Sequence, residues 1–268
     1  MNNRINPDYS SHRPNKSLGQ VFLKNKNIID RIISACQLKP ENTVFEIGPG
    51  PGTLTRHFLP FVKEVIAVEK DKTLCHTLGD EFKGKNVKII CSDILKFPFE
   101  TLPTNLICIG NLPYYISSPI IQKLIENRNH FQKIFITVQL EFANRMTAKI
   151  GTKDYSSLTC FVQYYTRCQM LFKISRNAFA PVPKVNSSFM QLNMVPSGSL
   201  PVVDELRLFK IIHLAFQQRR KTIANALATT IGKERLIQIL DLLKIKPNLR
   251  AENLRLEDFI SICNCLKD

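Results

Sequence analysis

Five short apolar runs, 43–47, 65–68, 87–91, 106–109 and 134–138, are separated by longer stretches of helical character. No other feature limits the fold of this chain as strongly. Strands that alternate with helices in this way argue for a parallel sheet covered by helices on both faces. An open sheet of that kind takes its ligands at the carboxyl ends of its strands. The residues that follow each run are therefore the first place to look for chemistry.

After the run 43–47 comes Gly48-Pro49-Gly50-Pro51-Gly52, with Glu46 just before it and a helix-like segment beginning at Leu54. Glycines at alternate positions allow a tight turn and a close approach of ligand to backbone. The spacing G-x-G-x-G differs from the dinucleotide fingerprint G-x-G-x-x-G, whose third glycine serves helix–strand packing. The second run ends in Glu69, a carboxylate able to accept both hydrogen bonds of a ribose diol. The third ends in Ser92-Asp93, where Asp93 can accept from an adenine amino group. Any one of these acids alone is more often a solvated loop residue.

The fourth run leads into Asn111-Leu112-Pro113-Tyr114-Tyr115. The Asn111 oxygen and the Leu112 carbonyl can both accept from an exocyclic NH2, Pro113 fixes that carbonyl, and the Tyr114 ring can lie on a heterocycle. The kit suits a nucleobase whose amino nitrogen reacts. An ordinary strand-to-loop turn would also use Asn and Pro.

Taken together, E-x-G-x-G-x-G, an acid closing the second strand, S-D closing the third and N-L-P-Y closing the fourth resemble the S-adenosylmethionine-dependent methyltransferases, and more closely the rRNA adenine N6-dimethyltransferase family. The resemblance covers nearly the whole chain. Lys16 to Leu23 is similar to the family's opening motif, Gln139 to Ala143 and Gly151 to Tyr155 to its middle segments, and Phe179 to Val185 to F-x-P-x-P-K-V. Ala215 to Thr222 resembles the helix that opens the family's second domain. The last two motifs look more like the ribosome-assembly branch than the antibiotic-resistance branch.

The resemblance implies a Rossmann-like methyltransferase sheet of seven strands, completed by 159–165 and 187–194, with a small C-terminal all-helical domain. It implies S-adenosylmethionine as cofactor, held by Val21, Leu23, Gly48, Gly50, Glu69, Asp93 and Asn111, and no metal. Asn111, Leu112, Pro113 and Tyr114 would hold the target adenine, with Phe179 closing its other face. The implied reaction is N6,N6-dimethylation of adjacent adenosines near the 3′ end of small-subunit rRNA, in ribosome biogenesis. At Val21 the family usually carries Asn or His. Valine's side chain neither donates nor accepts, so any polar contribution there must come from backbone groups around Val21 and Leu23.

The chain has 268 residues and a net charge of +15, against an ordinary 44% hydrophobic content. The length allows one large domain and a small one, and the charge favours a polyanionic partner. The excess is dispersed, +4 over residues 1–45, +7 over 46–190 and +4 over 191–268, which suits a broad face on folded RNA. The eight cysteines include no C-x-x-C pair, so reduced thiols and a cytoplasmic setting are expected. Met1 to Arg13 lacks the apolar core of a secretory signal, and no run of 18 apolar residues spans a membrane.

Residues 1–15 read as a flexible tail, 16–195 as the methyltransferase domain, Pro196 to Pro201 as a linker, and 202–268 as a helical RNA-positioning domain with helices over 204–228, 233–243 and 256–266. Arg219-Arg220-Lys221 are candidate phosphate contacts, or simply a solvated helix face. A monomer acting on small-subunit rRNA or a partly assembled small subunit is expected. Two other readings stand beside it: a resistance-type enzyme that modifies one adenosine of large-subunit rRNA, and a basic RNA-binding assembly or transcription factor that keeps the fold without catalysis.

Overall fold

The computed structural model describes residues 14–15, 18–196 and 200–266. The expected flexible tail, Lys16, Ser17 and the centre of the linker at 197–199 lie almost wholly outside these residues.

The chain begins with β1 (Phe22–Leu23) and α1 (Lys26–Cys36), then alternates through β2 (Thr43–Ile47), α2 (Thr53–Phe58), β3 (Glu64–Glu69), α3 (Lys72–Glu81) and β4 (Val87–Cys91). It continues with β5 (Leu106–Asn111), α4 (Ser117–Glu126), β6 (Phe131–Gln139) and α5 (Leu140–Met146). Next come α6 (Ser157–Tyr165), β7 (Thr166–Ile174), β8 (Phe179–Ala180) and β9 (Ser187–Met194). The last helices are α7 (Glu205–Gln217), α8 (Ile223–Ile231), α9 (Lys233–Leu242) and α10 (Leu256–Asn264). Local signals set several starts. Asn25 caps α1 by accepting from Ile28 N at 3.1 Å, and Asp71 caps α3 by accepting from Thr73 N at 3.0 Å.

Seven strands form one sheet in the order β4-β3-β2-β5-β6-β9-β7. From β4 through β6 neighbours are parallel, and β9 is antiparallel to β6. The chain leaves β2 outward to β3 and β4, then returns to the opposite side of β2 as β5. This reversal between β2 and β5 is the topological switch point, where a crevice opens beyond the strand ends. A separate pair joins β1 to β8, with Phe22 opposite Ala180 and Leu23 opposite Phe179.

The central strands β2, β3 and β5 are buried on both faces, whereas the edge strands β4 and β7 expose side chains. Phe45 of β2 packs against Phe97, Phe99 and Phe131 with ring centroids 5.8 Å away in each case. A second cluster gathers Ile29, Ile32, Phe58, Val65, Phe135 and Phe189. Near-continuous apolar strands are what a doubly covered parallel sheet requires.

By contact the chain divides into two compact units, residues 1–143 with 169–194, and residues 144–168 with 195–268. The first contains most of the sheet. The core of the second brings Tyr155, Cys160 and Tyr164 together with Leu208, Ile212, Phe216, Leu227, Leu240 and Phe259. Segment 144–168, assigned from sequence to the methyltransferase domain, thus belongs with the helices because its apolar side chains bury there.

Two further expectations are corrected. Residues 159–165 form a helix, α6, and the strand follows at Thr166–Ile174. Thr, Phe, Val and Tyr give that stretch a strand-like composition, but Thr159 Oγ1 accepts from Ser156 N at 3.0 Å and starts a helical turn. The helix expected over 204–228 is two helices, α7 and α8, because Thr222 caps a new start by accepting from Asn225 N at 3.4 Å.

Candidate active site

The crevice at the switch point holds a pocket of about 790 Å³ of atom-free space, its open mouth included. It is lined by the ends of β2 to β5 and by Leu18 to Phe22.

The glycine loop after β2 forms one wall. Gly48 and Gly50 have φ of +63° and +58°, a region that side chains with a Cβ avoid. A Cβ on Gly50 would meet the Phe22 ring at 2.9 Å, whereas one on Gly48 would meet nothing within 4 Å. The loop thus packs under Phe22 and leaves open space beside Gly48. Glu69 fastens it: Oε2 accepts from Gly50 N at 3.0 Å, and Oε1 accepts from Lys70 N at 2.8 Å and Asp71 N at 2.9 Å. The carboxylate is only 6% exposed, and burial pushes its pKa up against the lowering effect of those backbone donors.

Asp93 caps the turn after β4 by accepting from Leu95 N at 3.0 Å, and its Oδ2 pairs with Lys70 Nζ at 2.9 Å. That hydrogen bond and charge hold its carboxyl below the ordinary range. Lys70 therefore belongs to the pocket wall, as do Gln20, Phe22 and Ile94, none of which was singled out from sequence. Lys70 could have been suspected as the direct neighbour of Glu69. Gln20 Nε2 donates to Asp71 Oδ2 at 2.9 Å, which ties the N-terminal segment to the loop after β3.

The opposite wall is the segment after β5. Asn111 Nδ2 donates to the Val21 carbonyl at 2.7 Å. A carbonyl only accepts, so the amide must present its NH2 to Val21, and Oδ1 is left to the pocket that Asn111 lines. This contact uses the backbone of the position where the side chain departs from the family pattern. Leu112 N donates to Thr137 O at 3.0 Å, and Pro113 O accepts from Ile116 N and Ser117 Oγ at 3.2 and 3.1 Å. The Tyr114 hydroxyl lies 2.6 Å from Ser187 Oγ. Asn111, Leu112, Pro113 and Tyr114 thus face one cavity with Val21, Gly48, Gly50, Glu69 and Asp93. Among the described residues no group of three or more His, Cys, Asp or Glu is placed to hold a metal ion.

Residues 11–268 match the model of the family described as ribosomal RNA adenine dimethylase. The chain belongs to this family. Among relatives of the dimethylase, the ribosomal RNA small subunit methyltransferase A of Clostridium botulinum (strain Loch Maree / Type A3) is 37% identical over 259 residues, covering 95% of this chain and 94% of its own. The crystal structure of a dimethyladenosine transferase from Plasmodium falciparum superimposes with a TM-score of 0.80 at 29% identity, over 90% of this chain and 95% of that one. That of the 23S rRNA methyltransferase ErmE gives a TM-score of 0.71 at 27% identity, over 91% and 99%.

Three expectations for this dimethylase change. Phe179 is 0% exposed, in β8 within the sheet core, so it has no ring face to offer a base. Leu23 is buried in the same core and does not line the pocket. Arg219-Arg220-Lys221 occupy the turn between α7 and α8 rather than a helix face. Arg219 is engaged there, donating to Lys153 O at 2.7 Å and pairing with Glu252 at 3.1 Å, while Arg220 and Lys221 are exposed.

Proposed function

We propose that this dimethylase transfers methyl groups from S-adenosylmethionine to N6 of two adjacent adenosines near the 3′ end of small-subunit rRNA, as a step in ribosome assembly. The observation that carries this reading is the fixed Asn111 amide, whose oxygen is left to a pocket shared with the Tyr114 ring and with Glu69.

The open space at Gly48 and the buried Glu69 carboxylate suit the cofactor. Glu69 would take the ribose diol, Asp93 the adenine amine, and the backbone around Gly48 and Val21 the methionine end. When bound, the cofactor supplies a methyl activated by its sulfonium charge. The adenine N6 lone pair is delocalised into the ring, so the enzyme's task is alignment and exclusion of water. Positioning of this kind supplies several kcal/mol. Asn111 Oδ1 and the Leu112 carbonyl accept the N6 hydrogens and favour electron density on nitrogen as positive charge develops there. Pro113 keeps that carbonyl rigid, and Tyr114 stacks on the base. Unstacking the adenosine from RNA costs a few kcal/mol. The methylated ammonium is acidic and loses its proton without a strong base, so Asn, which has no titratable proton, suffices.

Arg220 and Lys221 contact RNA phosphates, and the net charge of +15 favours a folded ribosomal particle as substrate. The protein works as a cytoplasmic monomer. Among the described residues no helix is long and apolar enough to cross a membrane. The test is transfer of tritiated methyl to purified small and large subunits from a strain lacking the modification. Incorporation into small subunits is expected. Incorporation into large subunits alone would favour the resistance-type reading, and binding without incorporation the non-catalytic one.

A further inference from the structure

Asn111 and Tyr114 are both tied to distant parts of the sheet unit, but only the Asn111 tether reaches another pocket-lining residue. The Tyr114 hydroxyl instead meets Ser187 Oγ at 2.6 Å. Ser187 opens β9, is 0% exposed, and stands opposite Gln139 of β6. Its predecessor is pinned twice: the Asn186 carbonyl accepts from Leu140 N at 2.9 Å, and its Oδ1 accepts from Arg176 N at 3.0 Å. The next residue is held as well, since Ser188 Oγ donates to Phe172 O at 3.1 Å. Ser187 therefore stands on a rigid support. Burial raises the Tyr114 phenol above its ordinary pKa, so the hydroxyl stays protonated and the bond persists across working pH.

A tyrosine hydroxyl lies on the long axis of its ring, so a hydrogen bond there fixes where that axis points and stops the ring from swinging about its Cα–Cβ bond. We propose that Ser187 is a positioning residue for methyl transfer: through the Tyr114 hydroxyl it sets the position and long-axis direction of the ring on which the target adenine lies. The proposal rests on the functional reading above. A ring free to swing would still leave cofactor and RNA bound, but would hold N6 in line with the methyl for a smaller share of the time.

The test is a double-mutant cycle of Ser187→Ala and Tyr114→Phe in single-turnover transfer from tritiated S-adenosylmethionine to unmodified small subunits, with cofactor Kd by calorimetry and melting temperature measured alongside. Each single variant should slow transfer about five- to tenfold, the scale of one lost hydrogen bond, with cofactor Kd within about twofold. The double variant should be no slower than either single one. Ser187→Thr, which keeps the hydroxyl, should transfer at close to the wild-type rate. Additive losses, or a fully active Ser187→Ala, would overturn the proposal. If Ser187→Ala does not fold, Tyr114→Phe decides by cutting the same bond from the other end, and full activity there would overturn it. A wild type active only on large subunits overturns the substrate reading alone, and the cycle is then run on those. A wild type that methylates neither subunit overturns both.

Discussion

In the sheet unit Glu69, Asn111 and Tyr114 each hold a partner remote in sequence, Gly50, Val21 and Ser187 respectively, at 2.6 to 3.0 Å. In the helical unit Arg220 and Lys221 are exposed in the turn after α7, and only Arg219 beside them is engaged. The contrast separates two kinds of work. Groups that must meet a reacting atom are held in place beforehand, so that no reorganisation is needed at the moment of reaction. Groups that meet phosphates can remain mobile and solvated, because a screened charge tolerates loose geometry. Substitutions in the first unit should therefore change rates or cofactor affinity, and substitutions in the turn after α7 should change only RNA affinity.

The largest effect is expected at Asn111. Asn111→Ala should lower single-turnover methyl transfer by about a hundredfold or more, with cofactor and RNA affinity within a few-fold. Near-normal turnover would remove the distinction between the two regions.

Glu69→Ala should come next. Calorimetry should show S-adenosylmethionine binding weakened by roughly 1–3 kcal/mol, the scale of lost charge-assisted hydrogen bonds. The wild type should prefer that ligand to NAD. Unchanged affinity would mean that the carboxylate only secures the glycine loop.

Joint reversal of Arg220→Glu and Lys221→Glu should weaken filter binding to small subunits several-fold at low salt and flatten its salt dependence by about one ion per charge. Cofactor affinity should not move. Arg219 is left out of this variant because its pairing with Glu252 would confound binding with stability.

A further prediction concerns stability rather than rate or affinity, at Glu46, which is 2% exposed and accepts from Thr55 Oγ1 at 2.6 Å. Burial pushes its pKa up to about 8 from an ordinary 4.5. The folded state thus holds a proton that the unfolded chain has lost. The stability this contributes is fully present below about 4.5 and is lost as pH rises through about 8. Urea midpoints for wild type should fall across that window relative to Glu46→Gln. Parallel curves would show the acid to be ionised in place.

The sheet unit was the more legible in sequence, for a physical reason. Its central parallel strands are covered on both faces, so 43–47 reads as a bounded apolar run and appears as β2 with the same limits; the run 87–91 appears as β4, and 187–194, implied by the resemblance, as β9. Polar residues at strand ends stand out against such runs, which is why Glu69, Asp93 and Asn111 could be proposed. The helical unit gave weaker signals. Cys160, Val162 and Tyr164 read as strand by composition, whereas the Ser156–Thr159 bond starts a helix there. The true strand, Thr166–Ile174, carries exposed Arg167, Gln169 and Lys173 between more buried neighbours, and that alternation was available to be read. Gln20 and Ser187 are beyond reach of the sequence, because each matters through a contact between residues 51 and 73 apart respectively. Phe179 was placed by its motif, and burial in the core outweighed that placement.

The most direct test is mass-spectrometric mapping of small-subunit rRNA after incubation of unmodified particles with wild-type protein or Asn111→Ala. The account predicts N6,N6-dimethyladenosine at two adjacent positions near the 3′ end with wild type and almost none with the variant in the same time. Absence of dimethyladenosine with wild type, or equal yield from both proteins, would contradict it.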